Sequence, residues 1–456
     1  MDKQFFKDKT VLVMGLGRFG GGLDCARFVH SAGAKVIITD LATKKELARS
    51  LDQINEIKDI EYRLGCHEIE DFENADIIIV NPAVKPDNKF IKHAISKNKV
   101  VTSQIAIFFQ LCPALKIGIT GANGKSTTTK LTHHLLQNAI GQKNFDFKNV
   151  WLGGNIGNLP LLDIVEEITP RDVVVLEISS FQLEQLDQIK EAPHISLITN
   201  IAPNHLDRHG SFESYCQAKE IIFKNQYLNE NDPAVSIFNA HDEITSSWYE
   251  KYKTDQGRKC LAFCVEDVDQ KFGKLLPLPG RANLENLAAA VTIATHLGVD
   301  ENTIKKALPH FEPLPHRLQL IAEKNNVKWY NDSIATTPES TIAALEAFDQ
   351  PKVLIAGGYD KALPFNKLAK KISQTAKVVI LLGQTADKIA AQIESVSNPK
   401  IKVEKVFTLE DAVKLAKKLA DPGDVVLLSP ACASYDMFEN FEQRGNIFAE
   451  LVNKLR

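Results

Sequence analysis

The sequence predicts an α/β protein of three segments, each organised around a mostly parallel β-sheet. Short apolar runs alternate with amphipathic stretches along all 456 residues, as they do in parallel α/β folds. Glycine-rich turns follow the first apolar run of the first two segments, and proline-containing stretches near residue 113 and in 311–317 indicate boundaries. We therefore expect domains at 1–112, 113–312 and 313–456.

The first segment contains the elements of a Rossmann-like unit. Strands are predicted at 10–15, 35–39 and 75–80, with a helix from the glycine turn to about residue 32. Gly15, Gly17 and Gly20 satisfy G-x-G-x-x-G, and Asp40 ends the second strand, where a carboxylate can hold a ribose hydroxyl. Taken alone, this pattern favours NAD, bound through Gly15, Gly17 and Asp40.

The second segment begins with a predicted phosphate-binding loop. KIGIT predicts a strand, GANG a tight loop, and the residues from Lys125 a helix whose N-terminal N–H groups attract anions. Lys125 can reach the terminal phosphates of a nucleotide, and the hydroxyl of Ser126 or Thr127 can bind Mg²⁺. The candidate nucleotide-binding residues are Gly121, Asn123, Gly124, Lys125, Ser126 and Thr127.

This loop departs from the P-loop pattern at one position. G-x-x-x-x-G-K-[ST] requires a glycine where the chain has Ile119, and Gly118 comes one residue too early. The alternative to a nucleotide triphosphate site is therefore an ordinary glycine-rich turn between a strand and a helix.

Strands and helices continue to alternate through the rest of the chain. Further strands are predicted at 173–178, 195–200, 352–358, 377–383 and 424–429. Helices are predicted at 214–223, within 277–298 and at 412–420. The expected fold is thus a Rossmann-like N-terminal domain, a central P-loop-type ATPase domain with a mostly parallel sheet, and a C-terminal Rossmann-like α/β domain.

Two candidate metal ligands follow strands of the second segment. Glu177 ends a strand at the edge where open α/β sheets bind ligands, so it is a candidate Mg²⁺ ligand. The alternative is a glutamate that caps the following SSFQLE turn. His205 follows the next strand and can join the same cation, although a histidine in a loop also serves as a hydrogen-bonding residue.

Four further polar residues have both a structural and a functional interpretation. Lys219 lies in a predicted helix, where a solvated lysine is the simpler interpretation and a catalytic one the alternative. Asn283 is either the N-cap of a helix from 284 or a contact to adenine. Arg317 can bind phosphate through two parallel hydrogen bonds, and Asp332 is either a turn or N-cap residue or a ligand contact.

Composition restricts the classes of partner. A net charge of -3 without a basic cluster argues against nucleic acid as the main partner. No apolar run reaches the roughly 18 residues of a membrane span, and no signal-type stretch follows the N-terminus. The 7 cysteines are odd in number and mostly in apolar surroundings, which fits a reducing compartment. We expect a cytoplasmic protein that binds neither nucleic acid nor membranes.

A series of motifs, in chain order, resembles those of the Mur ligase family. They are GITGANGKSTTTK, LGGNIG, LEISSFQLE, NHLDRHGSFESYCQAK, LPHR, NDSIATT, GGYDK and LSPACASYDMFENFEQRG. The resemblance covers almost the whole chain, and the fourth and last motifs are similar to those of the D-glutamate-adding branch. It implies that ATP phosphorylates the alanine carboxylate of UDP-N-acetylmuramoyl-L-alanine, and that the amine of D-glutamate then displaces phosphate.

The resemblance also implies roles for individual residues. Lys125 is implied to hold the β- and γ-phosphates, Ser126, Glu177 and His205 to bind two Mg²⁺ ions, and Lys219 to be carbamylated and to position Mg²⁺. Contacts to ATP are implied for Asn283, Arg317 and Asp332. Asn155 is implied to contact the phosphate and substrate region. D-Glutamate contacts are implied for Thr336, Lys361, Ser434 and Phe441. UDP is implied to replace NAD on the first segment, and a monomer is expected.

Several positions depart from the family pattern. Ile334 stands where NDSKATN has a lysine, Thr337 replaces its last asparagine, and Ala282 replaces a histidine. Leu41 and Ala42 stand where relatives place a threonine and an arginine on the uracil side, and NPAVKP replaces S-P-G. The motifs therefore support the ATP contacts more directly than the UDP contacts.

Other functions fit part of the pattern. One is another Mur-type or folylpolyglutamate-type amide ligase. A second is a nucleotide-binding regulatory protein that has lost catalysis. An NAD-dependent oxidoreductase is the third, and it leaves the second segment without a role.

Overall fold

Three β-sheets, each with helices between its strands, form the framework of the chain. The structure is a computed structural model that describes residues 2–17, 20–156, 160–396 and 401–455. Residues 18 and 19 of the glycine turn and residues 157–159, where LGGNIG ends, lie outside the described residues.

The first sheet is parallel, with the strand order β3-β2-β1-β4-β5. Its strands are β1 (Thr10–Met14), β2 (Lys35–Asp40), β3 (Ile60–Leu64), β4 (Ile77–Val80) and β5 (Val100–Thr102). The helices of this segment are α1 (Gly21–Ser31), α2 (Ala48–Asp52), α3 (Ile69–Asn74), α4 (Lys89–Ser96) and α5 (Gln104–Leu111). This is the Rossmann-like unit that the sequence predicts.

The second sheet is also parallel, with the order β11-β10-β9-β6-β8-β7. Its strands are β6 (Leu115–Thr120), β7 (Val150–Gly154), β8 (Val173–Glu177), β9 (Ile195–Ile198), β10 (Ala234–Asn239) and β11 (Arg258–Phe263). The accompanying helices are α6 (Lys125–Gln137), α7 (Ser180–Gln188), α8 (Leu206–His209), α9 (Phe212–Lys224), α10 (Glu243–Tyr252), α11 (Asp269–Phe272), α12 (Arg281–His296) and α13 (Glu301–Ala307). Every residue of β8 is buried, as expected for an inner strand of a sheet covered on both faces.

The third sheet has the order β12-β13-β17-β14-β15-β16, and only the β12–β13 pair is antiparallel. Its strands are β12 (Gln319–Lys324), β13 (Val327–Asn331), β14 (Lys352–Ala356), β15 (Ala376–Leu381), β16 (Lys402–Lys405) and β17 (Val425–Leu428). Its helices are α14 (Pro338–Glu346), α15 (Asn366–Thr375), α16 (Ala386–Ser395), α17 (Leu409–Leu419) and α18 (Phe441–Lys454). Short 3₁₀ turns occur at Lys3–Phe6, Val265–Asp267, Gly273–Leu275 and Leu308–His310. The predicted fold class is confirmed.

The chain divides into two compact units. One consists of Met1–Asp267 and Asn286–Ala307, and the other of Val268–Glu285 and Leu308–Arg456. The first unit therefore contains the first two sheets, and the domain boundaries at 112/113 and 312/313 stay predictions. Among the described residues, no helix has both the length and the hydrophobicity that crossing a bilayer requires.

A buried carboxylate joins the first two segments inside the first unit. Asp24, on α1, is 2% exposed and accepts hydrogen bonds from the backbone N–H groups of Leu161 (2.9 Å), Leu162 (2.8 Å) and Asp163 (3.1 Å). The side-chain amide of Gln104 donates to the same carboxylate. Burial raises the pKa of Asp24 to about 6, so its carboxylate is charged at pH 8.

We expect Asp24→Ala to lower the free energy of unfolding by roughly 3 kcal/mol, because three buried N–H donors lose their acceptor. Urea denaturation at pH 8, followed by tryptophan fluorescence, measures the change. Asp163→Ala is the matched control, since that carboxylate is 37% exposed and its ion pair with Arg27 is long, at 3.9 Å. The control should change stability by no more than about 0.5 kcal/mol. An equal loss in both variants would contradict the role of Asp24.

Candidate active site

The loop between β6 and α6 has the backbone of an anion-binding turn. Gly124 caps α6 in the left-handed conformation (φ 81°), and no side chain caps the first N–H groups of the helix. A Cβ on Gly121 would lie 1.9 Å from Thr199 Oγ1, and one on Gly124 would lie 2.1 Å from Asn286 Oδ1. Both positions therefore require glycine, and the Lys125 ammonium folds over the loop, 3.0 Å from the carbonyl oxygen of Ala122.

The strand end of β9 holds this loop in place. The N–H groups of Ala122 and Asn123 donate to the backbone oxygen and to Oδ1 of Asn200, each at 2.9 Å. Thr199 Oγ1 donates to the Asn123 carbonyl oxygen at 2.6 Å. With the loop held in this way, the N-terminus of α6 points into the concave side of the loop. A phosphate would bind there, against the N–H groups of the first helical turn.

The early glycine of the loop has a packing role. A Cβ on Gly118 would lie 2.2 Å from Pro193 Cγ, so glycine is needed inside the sheet rather than at the phosphate. The missing glycine at Ile119 does not alter the turn itself, because Ile119 is a residue of β6 and is fully buried. The departure from the P-loop spacing is therefore compatible with a phosphate site.

Glu177 lies at the carboxyl end of β8 with only one of its oxygens hydrogen-bonded. It is 2% exposed, and its Oε1 accepts from Asn155 Nδ2 at 3.0 Å. Oε2 is buried and has no hydrogen-bond partner among the described residues. The interpretation of Glu177 as a helix cap is wrong, because Ser179 caps α7 through a capping box with Gln182.

His205 occupies a strained turn just before α8. Its φ of 52° is left-handed, which is unusual for a residue with a side chain and costs on the order of 1 kcal/mol. Desolvation, and then the positive charges of Lys125 and Lys219, lower its pKa. A neutral imidazole is the form that can bind a metal ion.

Lys219 is buried, so its interpretation as a solvated helix lysine is wrong. It is 2% exposed, donates to Thr120 Oγ1 at 3.3 Å and lies 4.9 Å from the ring centre of Tyr215. Burial, followed by the charge of Lys125, lowers its pKa well below the usual range, while Glu177 opposes this shift. The amine is therefore poised to lose its proton.

These side chains fit a bound cation. The unpaired oxygen of Glu177, a low-pKa histidine and the Ser126 hydroxyl at the start of α6 are oxygen and nitrogen ligands near a phosphate loop. No group of three His, Cys, Asp or Glu side chains in the described part of the chain forms a metal site by itself. Mg²⁺ with a nucleotide needs no such group, since phosphates and water complete its octahedral shell.

The candidate UDP-binding residues lie at the carboxyl ends of β1 and β2. Asp40 Oδ2 accepts from the N–H of Gly17 at 3.1 Å, and Oδ1 accepts from the N–H of Ala42 at 2.8 Å. Gly15 and Gly17 both have positive φ, and Asn81 lies against each of them. Asp40 therefore shapes the turn, and a ligand contact would use the remaining lone pairs of its carboxylate.

Three candidate ATP contacts belong to the second unit. Asn283 lies within the first turn of α12, which begins at Arg281, so the N-cap interpretation is wrong. Its side chain donates to the Pro279 carbonyl oxygen at 2.7 Å. Arg317 Nε is buried without a hydrogen-bond partner among the described residues. Asp332 accepts from Leu318 N–H (3.2 Å) and Ser429 Oγ (2.8 Å), and burial raises its pKa to about 7.

The candidate D-glutamate contacts follow strands of the third sheet. Lys361 is exposed after β14, Thr336 is half-buried after β13, and Ser434 is 2% exposed after β17. Phe441 begins α18, and its carbonyl oxygen accepts from Ser333 Oγ at 2.8 Å. All four follow or lie beside carboxyl ends of parallel strands, where ligands bind in such sheets.

Comparison with known proteins identifies the family. The chain matches models of the Mur ligase MurD-like N-terminal domain (residues 9–103), the Mur ligase middle domain (119–294) and the Mur ligase glutamate ligase domain (316–432). A UDP-N-acetylmuramoylalanine--D-glutamate ligase from Acetivibrio thermocellus is 38% identical, with 99% of this chain and 98% of that protein aligned. The corresponding ligase from Clostridium tetani is 37% identical over the same shares. The chain belongs to the Mur ligase family.

Solved structures agree on the fold of this Mur ligase. UDP-N-acetylmuramate-alanine ligase from Thermotoga maritima matches with a TM-score of 0.59 at 20% identity, covering 98% of this chain and 99% of that one. MurF ligase from the same organism, solved in complex with ADP, matches at 0.57 and 18% identity, covering 99% and 97%. At these identities the likeness concerns the fold alone.

Sequence reasoning missed several residues that shape the site of this Mur ligase. Thr199 and Asn200 anchor the phosphate loop, Thr120 contacts Lys219, and Asn286 accepts from Thr128 Oγ1 at 3.2 Å. Asn286 was detectable, because it lies one helical turn after Asn283. The contacts of Thr199, Asn200 and Thr120 join residues about 76 to 99 positions apart, so no local sequence pattern predicts them.

Proposed function

We propose that this Mur ligase joins D-glutamate to UDP-N-acetylmuramoyl-L-alanine at the expense of ATP, in cytoplasmic peptidoglycan precursor synthesis. The observation that carries the proposal is the edge of the second sheet. There the phosphate-binding loop, the half-paired Glu177 and the buried Lys219 follow or face neighbouring strands. The full-length similarity to ligases of that name supports the choice of substrates.

Activation of the substrate carboxylate is the first step. A carboxylate is a poor electrophile, and transfer of the γ-phosphoryl group of ATP converts it to an acyl phosphate with a good leaving group. Lys125 neutralises charge on the transferred phosphoryl oxygens, and the N–H groups at the start of α6 orient the phosphates. The amine of D-glutamate then attacks the carbonyl carbon, and the tetrahedral intermediate expels phosphate.

Ser126, Glu177 and His205 would hold two Mg²⁺ ions in this reaction. When bound, the ions supply positive charge to the phosphate oxygens. Addition of CO₂ to the neutral amine of Lys219, with loss of one proton, would give an anionic carbamate, and a bound Mg²⁺ would offset the cost of burying that charge. Asn155 would contact the phosphate and substrate region, through its position beside Glu177.

The remaining candidate residues would bind UDP, ATP or D-glutamate. Gly15, Gly17 and Asp40 would hold the UDP moiety on the first segment. Asn283, Arg317 and Asp332 would contact ATP. Thr336, Lys361, Ser434 and Phe441 would form the D-glutamate site, with the Lys361 ammonium opposite a substrate carboxylate. We propose that the enzyme acts as a monomer.

The substrate assignment is tested by phosphate release from ATP. Purified protein is supplied with Mg²⁺ and UDP-N-acetylmuramoyl-L-alanine, together with D-Glu, L-Glu, L-Lys or meso-diaminopimelate. We expect turnover with D-Glu alone. Turnover with another amino acid would identify a different Mur-type ligase, and the absence of turnover with every acceptor would favour a nucleotide-binding regulatory protein.

A further inference from the structure

The loop Asn81–Pro86, which follows β4, lies against the glycine turn proposed to hold UDP, because a Cβ on Gly15 would be 2.9 Å from Asn81 Cβ. Its sequence NPAVKP differs from the common S-P-G, so its shape depends on this chain's own contacts. Within the loop, Asn81 N–H donates to the Met14 carbonyl oxygen and Val84 N–H to the Asn81 carbonyl oxygen, both at 3.0 Å. These bonds fix the first part of the loop against β1.

Two side chains from the second segment hold the same stretch by its backbone. Gln185 Nε2, on α7, donates to the Val80 carbonyl oxygen at 3.1 Å. Arg208 Nη2, on α8, donates to the Val84 carbonyl oxygen at 3.2 Å. Because both acceptors are main-chain oxygens, these contacts constrain the path of the loop whatever its side chains are.

Arg208 also contacts the turn that carries His205. Its guanidinium lies 5.1 Å from the ring centre of Phe181, and that ring meets His205 edge-on at 5.3 Å. Arg208 Nη2 is 3.4 Å from Glu184 Oε2, and its side chain is only 12% exposed. Three residues after His205, on the four-residue helix α8, Arg208 therefore connects that turn to the loop of the first segment.

The polar groups around Arg208 are incompletely paired. Arg208 Nε and Gln185 Oε1 are buried without hydrogen-bond partners among the described residues, and Glu184 Oε2 makes no hydrogen bond there beyond its 3.4 Å ion pair with Arg208. A cavity of about 30 Å³, lined in part by Val84, Lys85 and Arg208, adjoins them and has room for about one water molecule. Core packing alone would not favour such groups, since each unpaired buried group costs about 1–3 kcal/mol.

We propose that Arg208 is a positioning residue that couples the Asn81–Pro86 loop to the His205 turn. UDP bound against the loop then reduces the mobility of the His205 turn, which would hold the cation. The muramoyl substrate and the metal–nucleotide site are thereby held at a fixed distance and orientation. This inference rests on the proposed function. Arginine suits the role because its planar guanidinium group can donate to a carbonyl oxygen and stack on an aromatic ring at the same time.

Amide hydrogen exchange with UDP as the probe tests the coupling without turnover. In the wild-type protein, UDP should protect peptides covering both 81–86 and 204–209. Arg208→Met keeps the aliphatic stem on Phe181 but removes the donors, so UDP should protect 81–86 alone. Arg171→Met is the matched control, because Arg171 is 58% exposed and pairs with Asp146 at the surface. This variant should behave like wild type.

Kinetics supply a second readout that a merely structural role would not produce. We expect Arg208→Met to raise KM for UDP-N-acetylmuramoyl-L-alanine about tenfold, with KM for ATP changed less than about twofold. Arg208→Lys should recover part of the loss, and it replaces the methionine variant if that variant does not fold.

Three outcomes would overturn the coupling: protection of 204–209 by UDP in Arg208→Met as in wild type, no protection of 204–209 in wild type, or an equal rise of both KM values. Failure of the wild-type protein to bind UDP in calorimetry, together with no turnover, would instead contradict the proposed function. The two failures are therefore distinguishable.

Discussion

Lys219→Ala is expected to lower kcat by about a thousandfold, which corresponds to about 4 kcal/mol in the activation barrier. The side chain is 2% exposed and faces the phosphate loop through Thr120, so it is not a solvated helix lysine. If its amine carries a carbamate, the alanine variant lacks the anionic group that would position Mg²⁺ beside Glu177 and His205. The measurement is phosphate release at saturating substrates and Mg²⁺.

Chemical rescue separates loss of the carbamate from loss of packing. A short-chain carboxylic acid added to Lys219→Ala should restore part of the activity, because a small carboxylate can enter the vacated space. Lys224→Ala is the matched control on the same helix, since that ammonium is 42% exposed and pairs with Glu220; its activity should stay near wild type. Near-wild-type activity of Lys219→Ala would remove Lys219 from the site, and inactivity without rescue would argue against the carbamate.

Lys125→Ala is expected to lower kcat at least about a hundredfold, or about 2.7 kcal/mol in the barrier, while the protein stays folded. The ammonium lies at the N-terminus of α6 and donates to the Ala122 carbonyl oxygen of the phosphate loop at 3.0 Å. The proposed role of the ammonium is to neutralise the negative charge that develops during phosphoryl transfer. A neutral backbone N–H group cannot provide a full positive charge for this.

Circular dichroism and thermal unfolding verify that the Lys125 variant is folded. Lys130→Ala, five residues further along α6, is the control and should keep most of the wild-type rate. Retention of more than about a tenth of wild-type kcat by Lys125→Ala, a change below about 1.4 kcal/mol, would show that the loop does not catalyse phosphoryl transfer in the proposed way.

Local patterns were sufficient for the fold class and the phosphate loop. The apolar run at 173–178 predicts a strand of a parallel sheet, and β8 is such a strand, buried throughout. GANGK predicts a tight loop before a helix, and the structure has such a loop, with positive φ at Gly121 and Gly124, before α6. In both cases the physical cause acts between residues that are close in sequence.

For some residues, local sequence patterns allowed more than one structural role, and one of the allowed roles was wrong. The sequence leaves Glu177 open between a cap and a metal ligand, and the structure excludes the cap because Ser179 caps α7. Asn283 was compatible with an N-cap until the start of α12 at Arg281 placed it inside the first turn. Helix boundaries depend on which backbone groups are paired, and the letters near the start of a helix permit more than one answer.

The sequence by itself determined the three mostly parallel α/β sheets, the position of the phosphate loop and, through its motifs, membership of the Mur ligase family. The tertiary structure alone decided that Lys219 is buried and that Asp24 and Arg208 join the first two segments. It also decided that Glu177 bonds Asn155 through Oε1 while Oε2 has no hydrogen-bond partner among the described residues. The physical reason is the range of the interactions. Periodicity and turn chemistry act over a few residues, whereas desolvation and hydrogen bonding of these groups depend on partners as distant as the 137 positions between Asp24 and Leu161.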